Sequence, residues 1–408
     1  HNLVFLQKRD ISFSQFLHGL YIIKNVHLRI NRNTTTLKIM KKLKILTFSK
    51  CFLAFAFTVN GQSEETSTYD RVWSKVSLYE NEQNPLIRKF SFTGRLQGDY
   101  HSFGNDETGE SASDFDWRRF RFGFKASILD GFTLHSEANL NLNQPEPLYT
   151  NLTDTYLSWT TDNGLKFKVG KQSAPFTLDG STSSKKLHTL ERGKIATNVW
   201  FGQEYFPGVS VSGSSGEWDY FAGVYSSDNA PEFADAFDYG KFGIVSLGRD
   251  WAESFGYDKA LIRFDVMLQD DDEMKYKDWD GAYSLVSKWQ KGKFNLWTDL
   301  SFADRENGDV VGLQIMPFYD ITDKTQIIFC YTSLDSSDKD QLKKSRWEHK
   351  LDGANGSELS EYFFGLNYFF YGHKLKWQNG LQYTTLEDSS GSDQYDGWGF
   401  TTAFRISW

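Results

Sequence analysis

The chain has 408 residues, with 45 Lys and Arg against 53 Asp and Glu and a formal net charge of −8. Charged residues at 24% and a mean hydropathy of −0.52 exclude a bundle of membrane-spanning helices, and of the two cysteines Cys51 lies in a segment that reads as cleaved, which leaves Cys330 alone and no disulfide or zinc framework. Aromatic residues reach 17% (35 Phe, 20 Tyr, 13 Trp) with only 7 Pro, which favours sheet, because aromatic rings fit a pleated surface.

In chain order the first pattern begins at Met40. Met-Lys-Lys-Leu-Lys, an apolar run from Ile45 to Val59, and then Asn60, Gly61 and Gln62 read as a Sec signal peptide over residues 40–61. The run is too short for a spanning helix, which needs roughly 20 apolar residues. Residues 1–39 carry no usable pattern and read as an untranslated or unstructured upstream stretch. Residues 62–86 read as a short periplasmic segment ahead of a barrel over 87–408. Residues 1–61 hold 10 Lys and Arg and 1 acidic residue, so the remainder carries 35 basic against 52 acidic residues, a net of −17. Attraction for anions must then be local to part of the surface, and no nucleic-acid partner is expected.

From residue 87 onward, segments of roughly ten residues alternate apolar with small, polar or charged positions and are separated by turn signals, as in a transmembrane β-barrel. Phe90, Phe92, Gly94 and Leu96 are expected to face lipid, and Thr93, Arg95, Gln97 and Asp99 the lumen. Phe120, Phe122, Phe124 and Ala126 place Arg119, Arg121 and Lys125 inward. Leu165, Phe167 and Val169 alternate with Lys166 and Lys168, and the theme recurs through Ala260–Leu268, Phe294–Phe302, Ile327–Tyr331 and Tyr362–Phe370. The last segment alternates strictly from Trp398 through Phe400, Thr402, Phe404 and Ile406 to Trp408. In a soluble sandwich that stripe would be an aggregation liability. The expectation is an all-β fold: a transmembrane antiparallel β-barrel of about 16 strands, the size class that encloses an aqueous channel. Short turns such as Asp130-Gly131 and Lys291-Gly292 are expected on the periplasmic side.

A channel breaks no bond; its chemistry is a narrow place where fixed donors replace the hydration shell of the solute. Arginine suits oxyanions because its planar fork donates parallel hydrogen bonds, and lysine adds a point charge. Arg118, Arg119 and Arg121 lie within four residues. Strict alternation points Arg118 outward, unless a bulge or a position above the membrane band turns it.

At this point the chain resembles the phosphate-selective porins of the O and P type. The likeness is densest from Gly94 to Arg192. It rests on Gly94-Arg95-Leu96-Gln97 with Asp99-Tyr100, Arg118-Arg119, Asp154, Leu165-Lys166-Phe167 leading to Gly170, Thr182-Ser183-Ser184-Lys185, and Leu190-Glu191-Arg192. The resemblance implies a loop of about Lys171 to Val199 folded inward as a constriction. It also implies an anion site carried over onto Arg95, Arg118, Arg119, Asp154, Ser184 and Lys185, with a homotrimeric assembly in outer-membrane lipid. Arg121 stands where the family pattern has an aromatic residue, and it joins the candidate anion-binding set.

The reading is thus a porin for passive diffusion of small anions, phosphate or a related oxyanion, with no catalytic residue, metal or cofactor. The alternative is a general or carboxylate-type nutrient porin without phosphate selectivity. A barrel hydrolase is the remote rival. Ser183 and Lys186 have a Ser-x-x-Lys spacing, which polar loops produce by chance, and the chain after Gly61 has no Gly-x-Ser-x-Gly or His-Glu-x-x-His.

Overall fold

The computed structural model describes residues 67–408 apart from 145, 201–204, 228–231, 235, 237, 239, 271–278, 306–307 and 338–339. The upstream stretch at 1–39 and the signal peptide at 40–61 lie outside the described residues.

A helix, α1 (Thr68–Ser74), and a short strand, β1 (Ser77–Glu80), precede the main sheet. The sheet then runs β2 (Ile87–Gly104), β3 (Ser111–Ile128), β4 (Phe132–Leu140), β5 (Tyr149–Thr160), β6 (Lys166–Ser173), β7 (Tyr205–Ser215), β8 (Trp218–Ser226) and β9 (Lys241–Asp250). It continues with β10 (Lys259–Gln269), β11 (Trp279–Lys291), β12 (Phe294–Arg305), β13 (Val310–Thr322), β14 (Thr325–Ser336), β15 (Glu358–Tyr371), β16 (Leu375–Glu387) and β17 (Asp393–Ser407). Each strand pairs antiparallel with its neighbours in sequence, and β17 closes the ring on β2 from Gly399↔Phe103 to Ser407↔Arg95. The result is a closed barrel of 16 strands, β2 to β17. Closure leaves no strand edge with unpaired peptide groups, which is what allows a sheet to cross hydrocarbon.

The alternation reads out as predicted. Phe122, Val169, Val245, Phe264, Phe364 and Phe404 are exposed on the outer face, while Arg95, Gln97, Asp99, Arg119 and Arg121 are buried on the inner one. An outer aromatic stack of Phe132, Trp159 and Phe167, with centroids 6.0 and 5.7 Å apart, lies at one end of the strands, where interfacial rings belong. Connections at that end are short: Gly131 and Gly292 take positive φ values of 75° and 58° at their turns, a conformation glycine adopts without a Cβ penalty. The long connections, between β6 and β7, β8 and β9, and β14 and β15, leave from the other end. Helix α1 sits at the short-turn end, where Trp73 Nε1 donates to the Ser407 carbonyl at 2.7 Å and Tyr69 stacks on Tyr371 at 5.5 Å.

Residues 174–200, between β6 and β7, end in a π-helical turn at Ala196–Trp200 and contact inward-facing side chains around the ring. Leu178 N donates to Asp299 on β12 at 2.7 Å, Asn367 on β15 and Gln378 on β16 donate to the His188 carbonyl at 2.9 Å, and Arg405 on β17 donates to the Leu190 carbonyl at 3.2 Å. An apolar cluster joins the segment to the wall: Trp200 packs on Trp279, Phe242 and Phe176 with centroids 5.9, 5.5 and 5.3 Å away. The expected start of this loop at Lys171 is corrected, because β6 continues through Ser173. A second long connection carries helix α3 (Arg346–Leu351), after the four-residue α2 (Ala252–Phe255). Helix α3 starts with a capping box between Ser345 and Glu348.

Candidate functional site

The inner wall of β2, β3 and β4 holds two rows of register partners. In the first, Arg95 pairs with Arg121 and Arg121 with Asn139; in the second, Thr93 pairs with Gly123 and Gly123 with Glu137. Gly123 has no side chain to fill the space between β2 and β4, and a Cβ there would lie 2.0 Å from the Ser136 carbonyl oxygen. Arg95 therefore reaches over β3, and its Nη2 donates to Glu137 Oε1 at 2.9 Å. Arg121 donates through Nε to Asn139 Oδ1 at 2.6 Å and through Nη1 to the Tyr205 hydroxyl, with its guanidinium 5.1 Å from the Tyr205 ring centroid.

The segment 174–200 brings its own groups to these rows. Ser184 Oγ accepts from Arg95 Nη1, and Gln97 Nε2 donates to the Ser184 carbonyl at 3.2 Å. Lys185 Nζ donates to Thr93 Oγ1 at 3.2 Å and to the Trp408 main-chain oxygen at 2.8 Å. Five predicted residues thus meet in one patch: Arg95, Arg119, Arg121, Ser184 and Lys185, with Gln97 Oε1 accepting from Arg119 Nη1 at 3.1 Å.

Arg118 departs from strict alternation for the reason a bulge supplies. The β2–β3 register steps from Gln97↔Arg119 to Gly98↔Trp117, so Arg118 is the extra residue on β3. It turns to the loop and grips Glu191 with both prongs, Nε on Oε1 and Nη2 on Oε2, the latter at 2.8 Å. Arg119 Nη2 lies 3.8 Å from Glu191 Oε2. Asp154 lies at an irregularity of β5, where Ser136↔Thr155 is followed by Ala138↔Leu152, and among the described residues it forms no ion pair with the arginines. Its charge is nevertheless felt at Lys185.

What sequence reasoning missed is the part the carboxylates play as partners of the arginines. Glu137 and Glu191 each hold an arginine, and Asp99 on β2 holds Arg405 on β17. The site is therefore a lattice of paired charges, in which burial of each arginine is tolerable because an acceptor meets it. Glu137 follows the inward period of His135 and Asn139, the one signal that could have found it.

Residues 90–240 match the model of the family described as phosphate-selective porin O and P. No curated protein sequence matches the chain. Among solved structures it is similar to the anion-selective porin from Comamonas acidovorans, with 11% identity, a TM-score of 0.58, and coverage of 78% of this chain and 99% of that one. It is similar also to OprB of Pseudomonas putida, at 11% identity and TM-score 0.57 over 78% and 94% of the two chains. The outer membrane channel DcaP of Acinetobacter baumannii gives 11% identity and TM-score 0.52 over 78% and 97%. Over residues 90–240 the chain thus matches the phosphate-selective porin O and P family, and its closed 16-strand barrel has the fold of bacterial outer-membrane porins.

Proposed function

We propose that this porin passes small anions, with phosphate or a related oxyanion as the preferred solute. In this reading residues 174–200 narrow the lumen, and Arg95, Arg118, Arg119, Arg121, Asp154, Ser184 and Lys185 form the anion site. The observation that carries the reading is the meeting of Arg95 with Ser184, one row from Lys185 on Thr93 and beside Arg121. Guanidinium forks on the wall, with an ammonium and a hydroxyl brought to them by the segment 174–200, are the donors a tetrahedral oxyanion needs when it sheds water. The Comamonas porin of the same fold is described as anion-selective, which supports the sign of the selectivity. Delivery by the signal peptide at 40–61, a periplasmic position for 62–86 and a homotrimer in outer-membrane lipid complete the reading. It assigns no reaction to the chain, on the strength of family and fold.

The test is reversal potential and chloride current in a planar bilayer, with inorganic phosphate titrated in. Anion selectivity with block at sub-millimolar phosphate is expected, and Lys185→Ala should weaken that block by about ten-fold, the loss of one charge-assisted hydrogen bond. A second reading, a general or carboxylate-type nutrient porin, is favoured by Glu137 and Glu191, which already occupy Arg95 and Arg118. It predicts a current indifferent to phosphate.

A further inference from the structure

The two arginine–glutamate pairs of the site are built differently. Arg118 and Glu191 form a fork-to-fork pair in which both carboxylate oxygens are met. Arg95 and Glu137 do not. Arg95 gives Nη2 to Glu137 Oε1 and Nη1 to Ser184, and this leaves Arg95 Nε and Glu137 Oε2 buried without a partner among the described residues. Both side chains are deeply buried, at 5% and 1% residue exposure. A pair kept for stability alone gains by turning both prongs to both oxygens, since a buried charged atom left unmet is costly. Here, among the described residues, one ion pair instead retains a spare donor and a spare acceptor.

We propose that Arg95 and Glu137 read the proton of a solute oxyanion. Resting on the anion reading above, this names the solute class as oxyanions that keep a hydroxyl, such as hydrogen phosphate. Arg95 Nε donates to a bare oxygen of the solute, and Glu137 Oε2 accepts from its hydroxyl. Sulfate and chloride have no hydrogen to give, so they meet Glu137 as like charges and are disfavoured. Ser184 and Lys185 cover the pair from the loop side, and the solute takes over the contact that Ser184 makes with Arg95. Glu137 is thus a specificity residue, distinct from the cations that supply attraction.

The experiment compares block of chloride current at neutral pH by inorganic phosphate, by sulfate and by dimethyl phosphate, an oxyanion without a hydroxyl, on the reconstituted protein. Phosphate should block at concentrations about ten-fold or more below those of the other two. In Glu137→Gln the amide oxygen stays on Arg95 and the amide NH2 replaces the spare acceptor with a donor. The phosphate-to-sulfate preference should then collapse, with sulfate binding gained. Equal block of the wild-type protein by all three anions, or a preference that survives in Glu137→Gln, overturns the proposal while the anion reading stands. A wild-type channel without anion selectivity removes both. Should Glu137→Gln fail to form a barrel, the wild-type comparison of phosphate with dimethyl phosphate decides alone.

Discussion

Arg118 and Glu191 meet in a two-pronged ion pair across 73 positions of chain, and they do so because a single extra residue in β3 turns Arg118 off the outer face. The pair ties the barrel wall to the segment 174–200 at a point where each side chain is about one-fifth exposed. Its position makes it both an anchor and a neutraliser, since Glu191 also lies near Arg119.

Glu191→Gln separates those roles. Losing the anchor should loosen the segment, and losing the charge should leave Arg118 and Arg119 more attractive to anions. We expect a flickering current with a raised anion-to-cation permeability ratio. A double-mutant cycle with Arg118→Met, read by the rate of proteolysis within 174–200, should give a coupling of roughly 0.5–3 kcal/mol. Purely additive effects would mean that the pair holds nothing.

The barrel was legible because each face of each strand is solvated differently, so a period of two writes itself into the chain. Arg95, Arg119 and Arg121 were placed by that period alone. Arg118 was not, because alternation assumes an unbroken ladder and the bulge breaks it with no glycine or proline on β3 itself; Gly98 stands opposite it on β2, a position that does not announce itself before the pairing is known. The pairing of Glu137 was hidden for another reason: the period puts it inward, but its partner Arg95 lies two strands away, and the contact depends on Gly123 having no side chain. The apolar filling around Trp200 and Phe176 lies in a segment without period, where nothing tells a buried ring from an exposed one. Asp154 was named by motif alone: it lies at an irregularity of β5, where a period of two gives no guide to its direction.

A second anchor is Lys194, buried between Glu348 of α3 and Glu361 of β15, with 3.2 Å to Glu348 Oε2. Replacing Lys194 with Met leaves two carboxylates facing each other with no cation, a cost of about 3–5 kcal/mol. Burial pushes the Glu348 carboxyl up, but Lys194 and the hydrogen bonds from Ser345, Thr384 and Gln382 outweigh it and hold the group below its usual range. A carboxylate so depressed contributes stability that is complete above its unfolded pKa, about 4.3, and is lost as pH falls through the lower folded value. The contact between α3 and the segment 174–200 should therefore persist at neutral pH and fail only below about pH 4. Channel noise recorded against pH checks this: wild type should become unstable only in that acid range, and Lys194→Met should be unstable throughout.

The apolar side of the same segment gives the clearest separation of pore from barrel. Trp200 is almost wholly buried against Trp279, Phe242 and Phe176, so truncation leaves a large cavity, and Trp→Ala at such sites costs about 3–5 kcal/mol. That energy holds residues 174–200 to the wall; the ring itself is held by its strand ladder, which Trp200 does not join. Trp200→Ala should therefore leave the heat-modifiable migration of the folded barrel unchanged while single-channel conductance rises as the segment leaves the lumen. Phe122→Ala, on the exposed outer face, removes a ring of comparable bulk from the lipid side and should leave conductance as it was. If Trp200→Ala unfolds the barrel, the segment is part of the fold's stability and not an insert within it; if conductance stays at the wild-type level, the segment does not narrow the path.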